Sequence, residues 1–165
     1  SGKYPVESVQ TMSRIAASTE QGLQSSNLKP ESATRFKSTR AVAHAGVELA
    51  KMAGASRILV ATERGNAPRL VSSYRPGMPV TAVTDSLVTA RRIQILSGVD
   101  SVIVEEYERG SKTMQNAIAL QLDSDKVQPG DKIVAISGSP KAISGLTSTA
   151  RLYKISDSGE IVGTE

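Results

Sequence analysis

ASRILVATERGNAPRLVSSYRPGMPVTAVT, residues 55–84, is the stretch whose pattern decides the architecture of the chain. Ile58, Leu59 and Val60 form a continuous apolar run that ends at Thr62. A short polar loop, Glu63-Arg64-Gly65-Asn66, leads to a helix expected from about Pro68 through Leu70 and Val71. Tyr74-Arg75-Pro76 stops that helix, because a proline pushes the residue before it out of helical geometry. A second apolar strand, PVTAVT (79–84), follows. Strand, loop, helix and strand make a βαβ unit, and apolar runs without alternation belong to a parallel sheet covered on both faces. Ligands of such sheets sit beyond the carboxyl ends of the strands, where helix N-termini present free N–H groups. Thr62–Asn66 and Thr84–Ser86 are therefore expected on the functional edge.

Upstream, residues 4–22 read as a helix with Val6, Val9, Met12 and Ile15 at helical spacing and Gly22 as its stop. The segment 23–34, LQSSNLKPESAT, offers little to bury and reads as a linker, which sets the first helix apart. A second helix is expected from Ser38–Thr39 to Met52, with a small-residue stripe of Ala41, Val42, Ala45, Gly46, Leu49, Ala50 and Ala53 facing the sheet. Downstream, Thr84–Asp85 is expected to cap a helix through Leu96, with Gly98 as its stop. A strand over 99–106, a helix over 111–122 and a strand KIVAIS (132–137) follow. A Gly/Ser-rich loop spans 138–148, and TARLYKI (149–155) alternates as an edge or antiparallel strand does. Asp157-Ser158-Gly159 marks a turn that folds IVG back as a short hairpin.

Composition removes several function classes. The 165 residues contain no cysteine and one histidine, which excludes thiolate metal sites and thiol catalysis and argues against a Ser–His–Asp triad. His44 has no obvious catalytic partner in the sequence and reads as a surface or satisfied histidine. With one Phe, four Tyr and no Trp, the chain lacks aromatic platforms for single-stranded nucleic acid. The net charge of +4 permits anionic partners, but Arg14, Lys29, Arg40, Arg57, Arg91 and Lys132 are scattered, which argues against nucleic acid. No apolar run approaches the ~18 residues that cross a bilayer, so no membrane partner is expected and a cytoplasmic location is.

Four phrases, in order, resemble the C-terminal domain of pyruvate kinase: GKYPVESVQTMSRIA (2–16), VATERGNAPRLVSSYRPGMPVTAVT (60–84), TARRIQILSGVDSVIVEE (89–106) and VQPGDKIVAISGSPKAISGLTSTARLYKI (127–155). The resemblance implies a three-layer α/β/α sandwich with a mostly parallel five-stranded sheet whose last strand is antiparallel. It implies two parts: residues 1–24, the last helix of a catalytic barrel domain, and residues 25–165, the C-terminal α/β domain. The parent enzyme of such a domain transfers phosphate from phosphoenolpyruvate to ADP in glycolysis, using Mg²⁺ and usually K⁺. The cations and carboxylates that perform this transfer belong to the barrel, so the resemblance implies a non-catalytic chain without cofactor or metal of its own. Its implied partners are the barrel domain, further copies in a tetramer through residues 149–155, and a phosphorylated small-molecule effector.

Two loops are the candidate effector site. The first is Thr62, Arg64, Gly65 and Asn66, able to hold an anion on backbone N–H groups, with a plain capping loop as the other reading. The second carries Ser139, Lys141, Ser144, Gly145 and Thr147, with an unliganded solvated loop as the other reading. In the resembling family these loops face each other around a phosphosugar. Members regulated by fructose 1,6-bisphosphate carry Thr-x-Ser-Gly-Arg-Ser/Thr in the first loop. Here Arg64 and Ala67 stand where its two later hydroxyls belong, and Glu63 adds negative charge, so a single-phosphate ligand is the better fit. A free-standing small α/β protein for a phosphorylated metabolite is the alternative function.

Overall fold

The computed structural model describes residues 2–22, 37–107, 111–138 and 146–163. Along the chain run α1 (Pro5–Gly22), α2 (Lys37–Ala53), β1 (Arg57–Ala61), α3 (Asn66–Ser73), β2 (Val80–Thr84), α4 (Leu87–Ile93) and β3 (Val99–Ile103). Then follow α5 (Ser111–Asp123), β4 (Lys132–Ser137), β5 (Thr149–Ile155) and β6 (Ile161–Gly163). The expected linker 23–34 and the boundary between residues 24 and 25 lie outside the described residues.

Every residue of β1 and β2 is buried, including Arg57, Thr81 and Thr84 beside the apolar positions. They pair in parallel with Ile58 opposite Val80, and β4 pairs in parallel on the other side of β1 with Ile58 opposite Val134. The sheet order is β3-β2-β1-β4-β5-β6. From β1 the chain steps outward through α3 and α4 to β3, then α5 carries it back past β1 to β4. With right-handed crossovers, that reversal of direction puts α5 on the face opposite α3 and α4. Alternate strand residues divide accordingly. Ile58, Val60, Ala82, Val134 and Ile136 meet α2, α3 and α4 through Val47, Val71 and Ile93. Leu59, Val83, Ile133 and Ala135 meet Met114, Ala117 and Ile118 of α5. The result is the three-layer sandwich expected from the sequence.

The sheet has six strands instead of five, because the turn at Asp157–Gly159 folds the tail onto β5 and β6 joins the same sheet. Ile155 pairs with Ile161 and Tyr153 with Gly163. TARLYKI is therefore not the edge strand it was expected to be. β6 covers its Tyr153–Ile155 half, and only along Thr149–Arg151 does no described strand lie against its outer side. The antiparallel direction of β5 against β4 is as expected, with Ile133 opposite Tyr153.

Local boundaries shift where side chains compete for caps. α3 begins at Asn66, ahead of Pro68, because Gly65 takes a left-handed conformation (φ 85°) and turns the chain into the helix. α4 is capped by Ser86, whose hydroxyl accepts the Thr89 N–H at 3.3 Å, so the helix is shorter than the expected Thr84–Leu96 span. Thr84 is the last residue of β2 instead. β3 ends at Ile103, ahead of the expected residue 106. In α2 the buried face is Thr39, Ala43, Gly46, Val47 and Ala50, while Ala41 and Ala45 face solvent. Alanine on either face satisfied the small-residue pattern. Only packing against the sheet chose between them. Gly46 marks the contact: a Cβ there would lie 2.5 Å from Ile136 Cδ1 and 3.5 Å from Ala150 Cβ.

Candidate functional site

β1 and β4 are adjacent but are reached by connections that leave in opposite directions, so a crevice opens between their carboxyl ends. Val60 stands opposite Ile136, and Thr62 and Gly138, each two residues further on, leave the sheet side by side. α2 ends just before β1 begins and thus runs back along the sheet, bringing its N-terminal turn to this same edge. The two sequence-predicted loops therefore meet the crevice at their bases. Ser139, Lys141, Ser144 and Gly145 lie outside the described residues.

The first loop is a hydroxyl-closed turn. Thr62 is buried (6% exposed), donates its N–H to the Val83 carbonyl at 2.9 Å, and accepts the Gly65 N–H on its hydroxyl at 2.8 Å. Gly65 is the N-cap of α3 and offers no side chain to the first-turn N–H groups. A side chain at Gly65 would in any case lie 3.1 Å from Ile93 Cγ2. Arg64 and Asn66 are exposed beside these donors, and Ala67 is buried. Thr89 holds the loop from α4, its hydroxyl donating to the Glu63 carbonyl at 2.9 Å. The Thr84 hydroxyl accepts the Ser86 N–H at 3.2 Å, completing a row of hydroxyls across the ends of β1 and β2.

At the second loop, Thr147 is also buried (5% exposed) and donates its N–H to the Thr39 hydroxyl of α2 at 3.3 Å. Ser148 donates its N–H to the Ser137 carbonyl at 3.0 Å, and Gly138 sits so close to Leu146 that a Cβ would come within 2.6 Å of its carbonyl oxygen. Lys37, Arg40 and Arg64 belong to the elements around the crevice together with the acidic Glu63, whereas Asp85, Glu105 and Glu106 follow β2 and β3, away from it. Free helix N–H groups beside cations suit an oxyanion. His44 is exposed and lies against the Tyr74 ring with centroids 5.1 Å apart, as a surface histidine does. Among the described residues no group of His, Cys, Asp and Glu could hold a metal ion, and no helix is long and apolar enough to cross a membrane.

Sequence reasoning missed Thr39 and Thr89, since isolated helical threonines carry no pattern. It also missed a polar cluster at the opposite edge of the sheet. Arg57 is 8% exposed and places one terminal nitrogen 2.7 Å from the Thr81 hydroxyl and 3.2 Å from Asp100 Oδ2. Thr81 donates to Asp100 Oδ1 at 2.6 Å, and Lys126 reaches Asp100 Oδ2 at 2.8 Å. Burial alone would raise the Asp100 pKa, but the hydrogen bonds from Lys126 and Thr81 and the charge of Arg57 outweigh it and hold the carboxyl below its ordinary value. The cluster leaves Arg57 Nε without a partner but lies far from the strand ends that open the crevice, so it serves as a tie between β1, β2, β3 and the chain after α5.

Comparison with known proteins agrees with this architecture. The family model for the pyruvate kinase alpha/beta domain matches residues 40–153. The chain is 33% identical to the pyruvate kinase of Staphylococcus saprophyticus over 159 residues, which is 94% of the chain but 27% of that protein. It is 31% identical to that of Staphylococcus aureus, spanning 30% of its length. Among solved structures, a pyruvate kinase from Cryptosporidium parvum superposes with a TM-score of 0.73 at 27% identity, covering 93% of this chain and 30% of the other. The fold is thus shared with that Cryptosporidium parvum structure, and the chain belongs to the pyruvate kinase alpha/beta domain family.

Proposed function

We propose that this chain is the effector-binding and subunit-contact domain of a cytoplasmic pyruvate kinase, and that it binds a phosphate-bearing small molecule in the crevice between β1 and β4. The observation that carries the reading is the Thr62–Gly65 turn. It brings the N-terminal turn of α3, which receives no side-chain cap from Gly65, next to Arg64. Thr147 lies at the base of the facing loop, and Ser139, Lys141, Ser144 and Gly145 complete the proposed ligand set. The parent enzyme would transfer phosphate from phosphoenolpyruvate to ADP with Mg²⁺ and K⁺ on its barrel domain.

Two exposed features support the partner assignments. Tyr4, just ahead of α1, and Val6, Val9, Met12 and Ile15 on it are each 57–63% exposed, an apolar stripe suited to pack on a barrel domain as its terminal helix. On β5, the outer side of Thr149–Arg151 offers strand edge to a second copy, in a narrower contact than residues 149–155.

Titration calorimetry with fructose 1,6-bisphosphate, a sugar monophosphate and inorganic phosphate tests the ligand assignment. The two single-phosphate probes are expected to bind, with affinity lost in Arg64→Ala. Micromolar binding of the bisphosphate alone would contradict the single-phosphate reading. Binding of none would leave a purely structural domain.

A further inference from the structure

We propose that the outer edge of β3 is a contact surface for a second copy of this chain, the two β3 strands pairing antiparallel about a two-fold axis at Val102. This contact lies at the other end of the sheet from Thr149–Arg151 and goes beyond the function proposed above. β3 ends the sheet, and no described strand lies beyond it. The Gly98 carbonyl accepts the Val80 N–H, and the Val104 N–H donates to the Thr84 carbonyl, each at 3.0 Å. Even-numbered residues of β3 therefore bond inward to β2, while Ser101 and Ile103 turn their backbone N–H and C=O groups outward as a template for another strand. The strand reads VDSVI, without proline or lysine. Its one charge, Asp100, already has partners in Arg57, Thr81 and Lys126, so pairing at this edge strands no carboxylate.

The surface on both sides of the edge is apolar. Outside α1, most of the exposed large hydrophobic side chains belong to the elements that frame β3: Leu87 and Val88 on α4, Ile95 just past it, Ile103 on β3 itself and Leu120 on α5, each 41–88% exposed. Gln94 donates to the Ser101 hydroxyl at 3.2 Å, which turns the Leu87–Arg91–Gln94 side of α4 toward the edge strand. On the other face Ile103, Ala119 and Leu120, together with Glu105 and Glu106, line a groove of about 450 Å³.

Charge selects the occupant. Glu105 and Glu106 follow the carboxyl end of β3, and both are exposed. α4 returns the chain between two parallel strands and so runs against β3, which leaves Arg91 and Arg92 of its last turn near the amino end of that strand, also exposed. Antiparallel pairing about a two-fold axis lays the carboxyl end of one β3 along the amino end of the other. Each copy's acidic pair then meets the other copy's arginines, and the contact occurs twice. An axis at Val102 sets Ser101 opposite the second copy's Ile103, matching outward backbone groups to outward groups, and sets half-buried Val102 against its own equivalent.

The chain has no cysteine, so a thiol introduced at one position reports that position alone. Val102→Cys places two thiols across a non-hydrogen-bonded antiparallel pair, whose Cα atoms stand about 4.5 Å apart, within reach of a disulfide. Met52→Cys, on an 87% exposed residue near the end of α2, measures random collision. Under mild oxidation Val102→Cys is expected to form a disulfide-linked dimer roughly tenfold faster than Met52→Cys. Adding Arg91→Glu and Arg92→Glu should slow it about tenfold, and mixing that variant with one carrying Val102→Cys, Glu105→Lys and Glu106→Lys should restore the rate. Equal rates for Val102→Cys and Met52→Cys overturn the proposal, as do charge reversal without effect and a mixture that does not recover. Self-association seen in sedimentation without the Val102→Cys disulfide belongs to another surface and overturns it too. If Val102→Cys does not fold, Ser101→Cys joined by a short bismaleimide takes its place, against Met52→Cys with the same reagent.

Discussion

Replacing Asp100 by Asn should destabilise the fold more than removing its exposed neighbour Lys126. Asp100 is the carboxylate facing Arg57, whose side chain is 10% exposed, while the Asp100 side chain itself is 36% exposed. Stranding a buried cation costs about 3–5 kcal/mol. The half-open position of Asp100 admits water and reduces this to about 2–3 kcal/mol for Asp100→Asn. Lys126 is 41% exposed and pairs with the same carboxylate, so Lys126→Met leaves the Arg57–Asp100 pair intact and should cost below ~1 kcal/mol. At about 2–4 °C per kcal/mol for a chain of this size, the melting temperature falls roughly 5–10 °C in the first variant and less than ~4 °C in the second. Burial raises the Asp100 pKa, but Lys126, Thr81 and Arg57 lower it further, so its folded value lies below the unfolded one. Its contribution is then complete above the unfolded pKa, near ~4, and is lost as pH falls through the lower folded value. Urea melts of wild type and Asp100→Asn should thus differ fully at neutral pH and converge only in strong acid. Equal costs for Asp100→Asn and Lys126→Met, or a gap between wild type and Asp100→Asn that persists in strong acid, would refute this account of the cluster.

Three further outcomes are expected. Gly65→Ala should destabilise by about 1–2 kcal/mol, since it forces a side chain into φ 85° and against Ile93, and chemical denaturation reads the loss directly. The purified chain should phosphorylate no ADP from phosphoenolpyruvate in the presence of Mg²⁺ and K⁺; turnover above a mock preparation would contradict its non-catalytic assignment. Sedimentation should show concentration-dependent self-association through the Thr149–Arg151 edge, and a monomer at every concentration would remove that contact.

The βαβ unit, the buried strands and the return of the tail were legible in the chain because each leaves a local signature. Unbroken Ile58-Leu59-Val60 marks a strand buried on both faces, Tyr74-Arg75-Pro76 marks a stop, and Asp157-Ser158-Gly159 marks a turn. The turn from β1 into α3 was legible for the same reason, since strand end, glycine and helix start lie within a few residues of one another. Periodicity, however, reports only which side of an element is buried, not which neighbour buries it. Alanines on two sides of α2 left its buried face open until Ile136 and Ala150 met Gly46. Nothing in TARLYKI indicates that β6 takes half its edge, because hydrogen-bonding capacity is identical at every backbone position. The order of strands decides that Thr62 and Gly138 emerge together, that Thr39 meets Thr147, and that Arg57, Thr81 and Asp100 share one cluster. These pairings join residues far apart in sequence, and only the long-range packing of the sheet and its helices selects them.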